Sequence, residues 1–317
     1  MSSLKILCVS ANPGLDRRLR LKSLSTGEIH RAQSAESLAG GKAAHVAMSA
    51  RALGADANWL GFLGGAIGEE VAAGLRLLGI AAVAIPTAAK TRVNLEIIED
   101  SGRITEILEP GGRAEGAEQL EMLRVLEEGL LGKWKEAFVA ISGSLPAGTP
   151  SDFYAQLIRA ASAAGAKVWL DTSGAALDPG IAAGPYLVKV NRHEAEDLLA
   201  QPVRDAPSAA NAARKLIERG AVSAAVTLGA EGLVWIENAG GPARMARPPR
   251  LQAKSTVGCG DATLAGFACA AGKGLRGEAA LRLAAACGAA NCLAEFTGRI
   301  SAKDVESLLP QIEVTAL

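Results

Sequence analysis

The chain is poor in aromatic side chains: Phe, Tyr and Trp together make up 3% of its 317 residues. That scarcity speaks against recognising nucleobases by stacking, which needs exposed rings. An excess of charge of one sign is missing too. Lys plus Arg and Asp plus Glu stand at 33 each, so no overall basic field recruits nucleic acid or an anionic membrane, and neither is expected as a partner. Any anionic ligand has to be met by local groups. Long apolar runs are absent: nothing approaches the roughly 18 residues of a membrane span, and the apolar stretch 6–9 is far too short for a signal peptide. A cytoplasmic location is therefore expected. The three histidines, His30, His45 and His193, are scattered, and Cys8, Cys259, Cys269, Cys287 and Cys292 show no paired metal-ligand spacing. The cysteines read as small buried hydrophobes in a reducing compartment.

What the chain does have is a rhythm. The run 4–9 is a strand pattern buried on both faces, and it ends in the turn formers Asn12, Pro13 and Gly14, so Asp16 stands just beyond a strand's carboxyl end. From 19 to 38 no period emerges, as expected of exposed strands or loops outside the main core. Gly40 and Gly41 make a turn before a helical pattern, which puts Lys42 and His45 at or near a first turn. A Walker A phosphate loop is rejected there, because Glu36 and Ala43 stand where it needs Gly and Ser or Thr. A strand at 58–63 and a helix at 67–78 follow. The segment from Thr91 then alternates, with Val93, Leu95 and Ile97 on one face and Arg92, Asn94 and Glu96 on the other, and turns at DSGR into a hairpin. Its polar face is either solvated or the wall of a sugar-phosphate site.

Beyond Glu115 helices and strands alternate, with strands at 137–141, 167–170, 186–190 and 224–228. Such alternation predicts right-handed βαβ units and a mostly parallel sheet with helices on both faces. Ligands of such folds bind outside the carboxyl ends of the strands, where the loops SGSLP, DTSG and NRHE fall. A hairpin turning at Gly229 and Gly232 comes next, then STVGCGDATLAGFACA over 255–270, and two closing helices. The glycine turn and Asp261 ahead of a helix favour an anion at its N-terminus, although an acid there is also a common cap. Length alone leaves one domain with a lid and two domains both open; a single domain, 1–317, with a lid subdomain from about 12–39 and 88–112 is the expectation.

Taken in order, NPGLD at Asn12, GGK at Gly40, TRVN at Thr91, SGSLP at Ser142, VNRHE at Val190, TLGAEG at Thr227 and STVGCGD at Ser255 resemble the phosphofructokinase-B, or ribokinase-like, carbohydrate kinases. The similarity is closest to the 1-phosphofructokinase and tagatose-6-phosphate kinase branch. It implies a ribokinase-like three-layer α/β/α sandwich with a mostly parallel central sheet and a small β-strand lid. It further implies ATP and Mg²⁺ as cofactors and a ketohexose phosphate as acceptor. By the same resemblance Asp261 is the base, and Gly258, Cys259 and Gly260 form the anion hole for the transferring phosphoryl group. Asp16 binds a sugar hydroxyl, Gly40, Gly41 and Lys42 form the acceptor loop, and Arg92 and Ser144 lie near the acceptor phosphate, with Lys42 joining Arg92 as a cationic clamp. Asn94 belongs to the same polar strand face. Lys189, Asn191, Thr227, Gly229 and Gly232 match the nucleotide side, and Glu194 organises the metal through water.

The chain departs from that pattern at three places. His45 replaces a sugar-contacting Asn and Ala43 a glycine, so His45 is either a new acceptor contact or a residue packed on its helix. Val190 stands in place of a proline. Cys259 replaces an alanine: it is either a small residue tolerated in a tight loop or, since a thiol at a helix N-terminus can have a lowered pKa, a reactive group whose alkylation would obstruct the anion hole. Two other readings stay open: a kinase of a free sugar or nucleoside, and a non-catalytic sugar-phosphate sensor. A lid with an apolar face would be buried in a homodimer.

Overall fold

Short apolar runs without polar alternation are satisfied as strands covered on both faces, and they fix the centre of the molecule. The computed structural model describes residues 4–317. Its first part runs β1 (Lys5–Ser10), β2 (Gly14–Leu21), β3 (Ser34–Gly40), α1 (Lys42–Ala52), β4 (Asp56–Leu63), α2 (Gly65–Leu77), β5 (Ala81–Pro86), β6 (Arg92–Glu99), β7 (Ile104–Leu108), α3 (Gly116–Leu131) and β8 (Phe138–Ser142). There follow α4 (Phe153–Ala163), β9 (Val168–Asp171), α5 (Leu177–Ala182), β10 (Leu187–Asn191), α6 (Arg192–Leu199), α7 (Ala206–Glu218), β11 (Ala224–Thr227) and β12 (Leu233–Ile236). The last part is β13 (Ala243–Arg247), α8 (Cys259–Gly272), α9 (Gly277–Leu293), α10 (Ala302–Leu308) and β14 (Glu313–Ala316).

The central sheet has 10 strands in the order β14-β13-β12-β11-β10-β9-β8-β1-β4-β5. From β11 to β5 every neighbouring pair is parallel, and β12, β13 and β14 finish one edge antiparallel. One apolar layer joins the sheet to α1, α8 and α9 through residues such as Val46, Leu264 and Leu281. The other joins it to α3, α4 and α7 through Met122, Leu157 and Leu216. The result is the layered α/β/α arrangement with a mostly parallel sheet that the sequence predicts. Three strands, β5, β13 and β14, have no counterpart in the sequence reading.

A second sheet of four strands runs β3-β2-β6-β7. After the Asn12–Gly14 turn the chain leaves the central sheet, and β2 pairs antiparallel with β3 and parallel with β6. The β6–β7 hairpin expected from the alternating pattern is present. Across this sheet Leu38, Asp16, Asn94 and Leu108 form one row of partners. Partners in a row share a face, so this row carries an acid and an amide to the carboxyl edge of the large sheet. Among the described residues no helix is long and apolar enough to cross a membrane.

Candidate active site

The polar face of the small sheet closes a cavity of about 390 Å³ whose walls include Asp16, Lys42, His45, Arg92, Ser144 and Asp261. Asp16 is held from several sides. Its Oδ1 accepts from Asn94 Nδ2 at 2.9 Å, and the Gly41 N–H also donates to the carboxylate. Gly40 is what lets the carboxylate lie flat on β3, because a Cβ there would sit 2.1 Å from the Asp16 carboxyl carbon. Ser144 Oγ accepts from Asn12 Nδ2 at 3.1 Å, which ties the loop after β8 to the turn after β1. Arg92 donates through Nη1 to the Glu109 carbonyl at 3.0 Å. Its Nε is buried and has no partner among the described residues. A buried donor left over on a cavity wall suits an anionic oxygen.

His45 stands between two acids. Its Nε2 lies 2.8 Å from Asp16 Oδ2 and its Nδ1 3.0 Å from Asp261 Oδ2. Burial alone would lower the imidazole pKa, but the hydrogen bonds and negative charges of the two carboxylates outweigh it and bring it up to about 10. Burial would in turn raise the Asp16 carboxyl. The His45 hydrogen bond and charge, then Asn94 and the Gly41 N–H, hold it below its ordinary range. Neither sequence-based alternative for His45 describes this arrangement: it does not pack idly on α1, and both ring nitrogens are taken by carboxylates.

Asp171, at the end of β9, is a residue the sequence reading missed. It is fully buried, with Oδ1 3.0 Å from Lys42 Nζ and Oδ2 2.7 Å from Lys189 Nζ. The two ammonium groups, Lys189 first, hold its carboxyl below the usual range against the effect of burial. Burial would lower the Lys42 ammonium, but Asp171, then Asp261 and Glu194, more than offset this and raise it. Lys42 also comes within 3.9 Å of Glu194. Lys42 thus gives one N–H to Asp171 and only approaches Glu194, so the expected clamp of Arg92 with Lys42 still has the Arg92 Nε and the other N–H groups of the partly exposed Lys42 ammonium to offer. No local pattern marks Asp171, because its partners lie on α1 and β10. Arg299, which reaches the cavity from the loop after α9, was missed for the same reason.

The loop into α8 is built for close approach. Gly258 has φ 76, the left-handed region, and a Cβ there would lie 2.3 Å from Thr297 Cγ2. A Cβ on Gly260 would lie 2.7 Å from Lys189 Nζ, so this glycine admits the lysine to the start of the helix. The N–H groups of Gly260 and Asp261 have no hydrogen-bond partner among the described residues, and the Cys259 N–H has only a long 3.4 Å contact to the Thr256 carbonyl. Free amides at a helix start form an anion site. The side chain of Cys259 behaves otherwise than expected. Its Sγ lies 3.2 Å from Cys292 Sγ on α9. Either thiol can donate in this contact, and the hydrogen bond shared with Cys292, together with burial, raises the Cys259 thiol, so the expectation of a lowered Cys259 is corrected.

On the other side, Lys189 and Asn191 end β10, and Asn191 pairs in register with Thr227 on β11. Thr227 Oγ1 donates to the Val190 carbonyl at 3.4 Å. Gly229 and Gly232 bound the turn from β11 to β12. Asn191 and Glu194 form a reciprocal capping box at the start of α6: Asn191 Oδ1 accepts from the Glu194 N–H at 2.9 Å and Glu194 Oε2 from the Asn191 N–H at 2.7 Å. Glu194 thus serves the start of α6 through Oε2, while its Oε1 faces Lys42.

Residues 5–303 match the family described as pfkB family carbohydrate kinase. The chain belongs to that family. Among its pfkB relatives, a 1-phosphofructokinase of Xanthomonas campestris is 38% identical over 277 residues, covering 84% of each chain. A 1-phosphofructokinase of Bacillus subtilis is 29% identical over 315 residues, 98% of this chain and 100% of the relative. Of solved structures, the phosphofructokinase-2 of Escherichia coli shares the fold with a TM-score of 0.89 at 26% identity, covering 97% of this chain and 98% of that one.

Proposed function

We propose that this kinase transfers the γ-phosphoryl group of ATP to a hydroxyl of a ketohexose phosphate, of the fructose 1-phosphate or tagatose 6-phosphate type, to give a bisphosphate. The observation that carries this reading is the meeting of Asp16 and Asp261 across one cavity whose wall also holds the unpartnered Nε of Arg92. A free sugar would leave that buried guanidinium donor without an anion. The relatives named 1-phosphofructokinase support the same acceptor class.

In this mechanism Asp16 and Asn94 orient the acceptor, and Arg92 with Ser144 takes its existing phosphate. Asp261 accepts the proton of the attacking hydroxyl, and the amides of Gly258 to Gly260 stabilise the charge spread over the transferring group. Lys189, against Gly260, stands where donor phosphates would meet the loop, and Asn191, Thr227, Gly229 and Gly232 carry the nucleotide. The reaction needs positioning and charge neutralisation more than covalent chemistry.

Mg²⁺ commonly takes one or two carboxylates and keeps phosphate and water as its other ligands. Glu194, with Oε2 committed to the cap and Oε1 facing Lys42 at 3.9 Å without a hydrogen bond, fits that requirement and would hold the ion. When bound, the ion neutralises charge on the donor phosphates. Among the described residues no group of three or more His, Cys, Asp or Glu side chains could cage a metal, so the protein's share is small.

The four-stranded sheet acts as the lid in this reading, and its far face supports a homodimer. Leu95 and Ile107 are partners in one row there, and Ile107 is 52% exposed. An ADP-release assay with fructose 1-phosphate, tagatose 6-phosphate, fructose 6-phosphate, fructose, ribose and adenosine tests the acceptor. Turnover of a ketohexose phosphate above the free sugars is the expected result. Preference for ribose or adenosine would refute it, and tight binding of one compound without turnover would make the protein a sensor.

A further inference from the structure

The two acids of the acceptor site are joined by one side chain. His45 touches Oδ2 of Asp16 and Oδ2 of Asp261 through its two nitrogens. Donation to both carboxylates at once requires both nitrogens to carry hydrogen, which only the imidazolium does. The ring has little freedom to do otherwise. Behind it the Gly298 backbone packs so close that a Cβ there would lie 2.8 Å from His45 Cα. Gly298 is itself pinned, its N–H donating to Asn291 Oδ1 at 2.8 Å and its carbonyl accepting from Ser49 Oγ at 3.1 Å.

The oxygen assignment follows. Oδ1 of Asp16 is taken by Asn94 and Oδ2 by His45. Oδ2 of Asp261 is also taken by His45, while its Oδ1 receives no hydrogen bond among the described residues. We propose that His45 is a positioning residue, a standing imidazolium bridge that fixes Asp16 relative to Asp261 and leaves Oδ1 of Asp261 as the atom that meets the hydroxyl to be phosphorylated. The idea rests on the kinase reading and deepens it. As the acceptor oxygen bonds to phosphorus and the bond to the ADP oxygen breaks, the hydroxyl proton goes to Oδ1, and the imidazolium keeps both of its own. An amide in place of His45 has one donor group and no charge, so it could not bridge two carboxylates equally.

Other charges face the bridge from every element around it. Lys42 precedes it on α1, Asp261 comes from α8, and Arg299 from the loop after α9. From the small sheet come Asp16, the buried Arg18–Glu96 ion pair, Arg92 and Glu106. The carboxylates in contact dominate, and the ring keeps its charge up to about pH 10.

The test follows ¹⁵N-histidine NMR of the wild type and ADP release by wild type, His45→Asn and His45→Ala from about pH 6 to about pH 11. The NMR signals of His45 should stay those of an imidazolium through neutral pH and titrate near 10. Wild-type kcat/KM should fall over the same interval. His45→Asn should retain kcat within about 10-fold and lose that alkaline limb, while His45→Ala loses about 10- to 100-fold in kcat with little change in KM. Titration of His45 near its ordinary 6.5, or an unaltered alkaline limb in His45→Asn, would overturn the proposal. The NMR needs neither turnover nor a variant, so it separates failure of the bridge from failure of the kinase reading.

Discussion

At the scale of single residues, the proposed transfer chemistry concentrates on Asp261. Replacing a positioned base typically costs about 10² to 10⁴ in rate, so Asp261→Asn should lower kcat by that order and leave ATP binding measurable by calorimetry. Near-wild-type turnover would remove the base assignment. The charged groups here also set a pH window for stability. Asp16 and Asp171 have folded pKa values below their ordinary 3.8, so their contribution is complete above that value and is lost as pH falls through the lowered ones. His45 is the opposite case: its contribution is complete below 6.5 and lost as pH rises through about 10. Thermal midpoints should therefore drop at both ends, and His45→Asn should flatten the alkaline drop. Asp16 and Asp261 are legible from the chain because turns and glycines flank them. Asp171 and Arg299 are not, since a lone acid after a strand or a lone arginine in a loop acquires meaning only from partners distant in sequence. The bridging of His45 was illegible for the same reason.

At the scale of elements, α6 is started by the capping box of Asn191 and Glu194. Loss of a cap of this type costs about 1 kcal/mol. Asn191→Ala should lower the thermal midpoint accordingly and, by freeing Glu194, weaken Mg²⁺ dependence of turnover. A variant that melts as the wild type does would show that the cap is idle. The strands and helices read most clearly were those with long apolar runs and glycine stops. Those that escaped are short or compositionally mute. β5 is built mostly of alanines and other small apolar side chains, β13 has two arginines three positions apart and so lacks a period-2 pattern, and β14 has four residues. Their strand character comes from the sheet edge they join, not from local preference.

At the scale of the molecule, the small sheet presents Ile107 outward, in register with the half-buried Leu95. If two copies meet there, light scattering should give twice the chain mass, and Ile107→Glu should give the single-chain mass by placing a charge in the contact. A wild type that runs as a monomer at micromolar concentration would refute the dimer. Inside the molecule, Asp171 divides its two oxygens between Lys42, which borders the acceptor cavity, and Lys189, which lies at the phosphate loop. In the proposed mechanism one carboxylate therefore belongs to both substrates' halves of the protein. A donor phosphate that draws Lys189 away would leave Asp171 more strongly attached to Lys42 and would make the two binding events thermodynamically interdependent. Linkage requires the effect to be reciprocal: the factor by which nucleotide changes acceptor affinity must equal the factor by which acceptor changes nucleotide affinity. Asp171→Asn should bring both factors toward one together, as calorimetric titrations performed in either order would read.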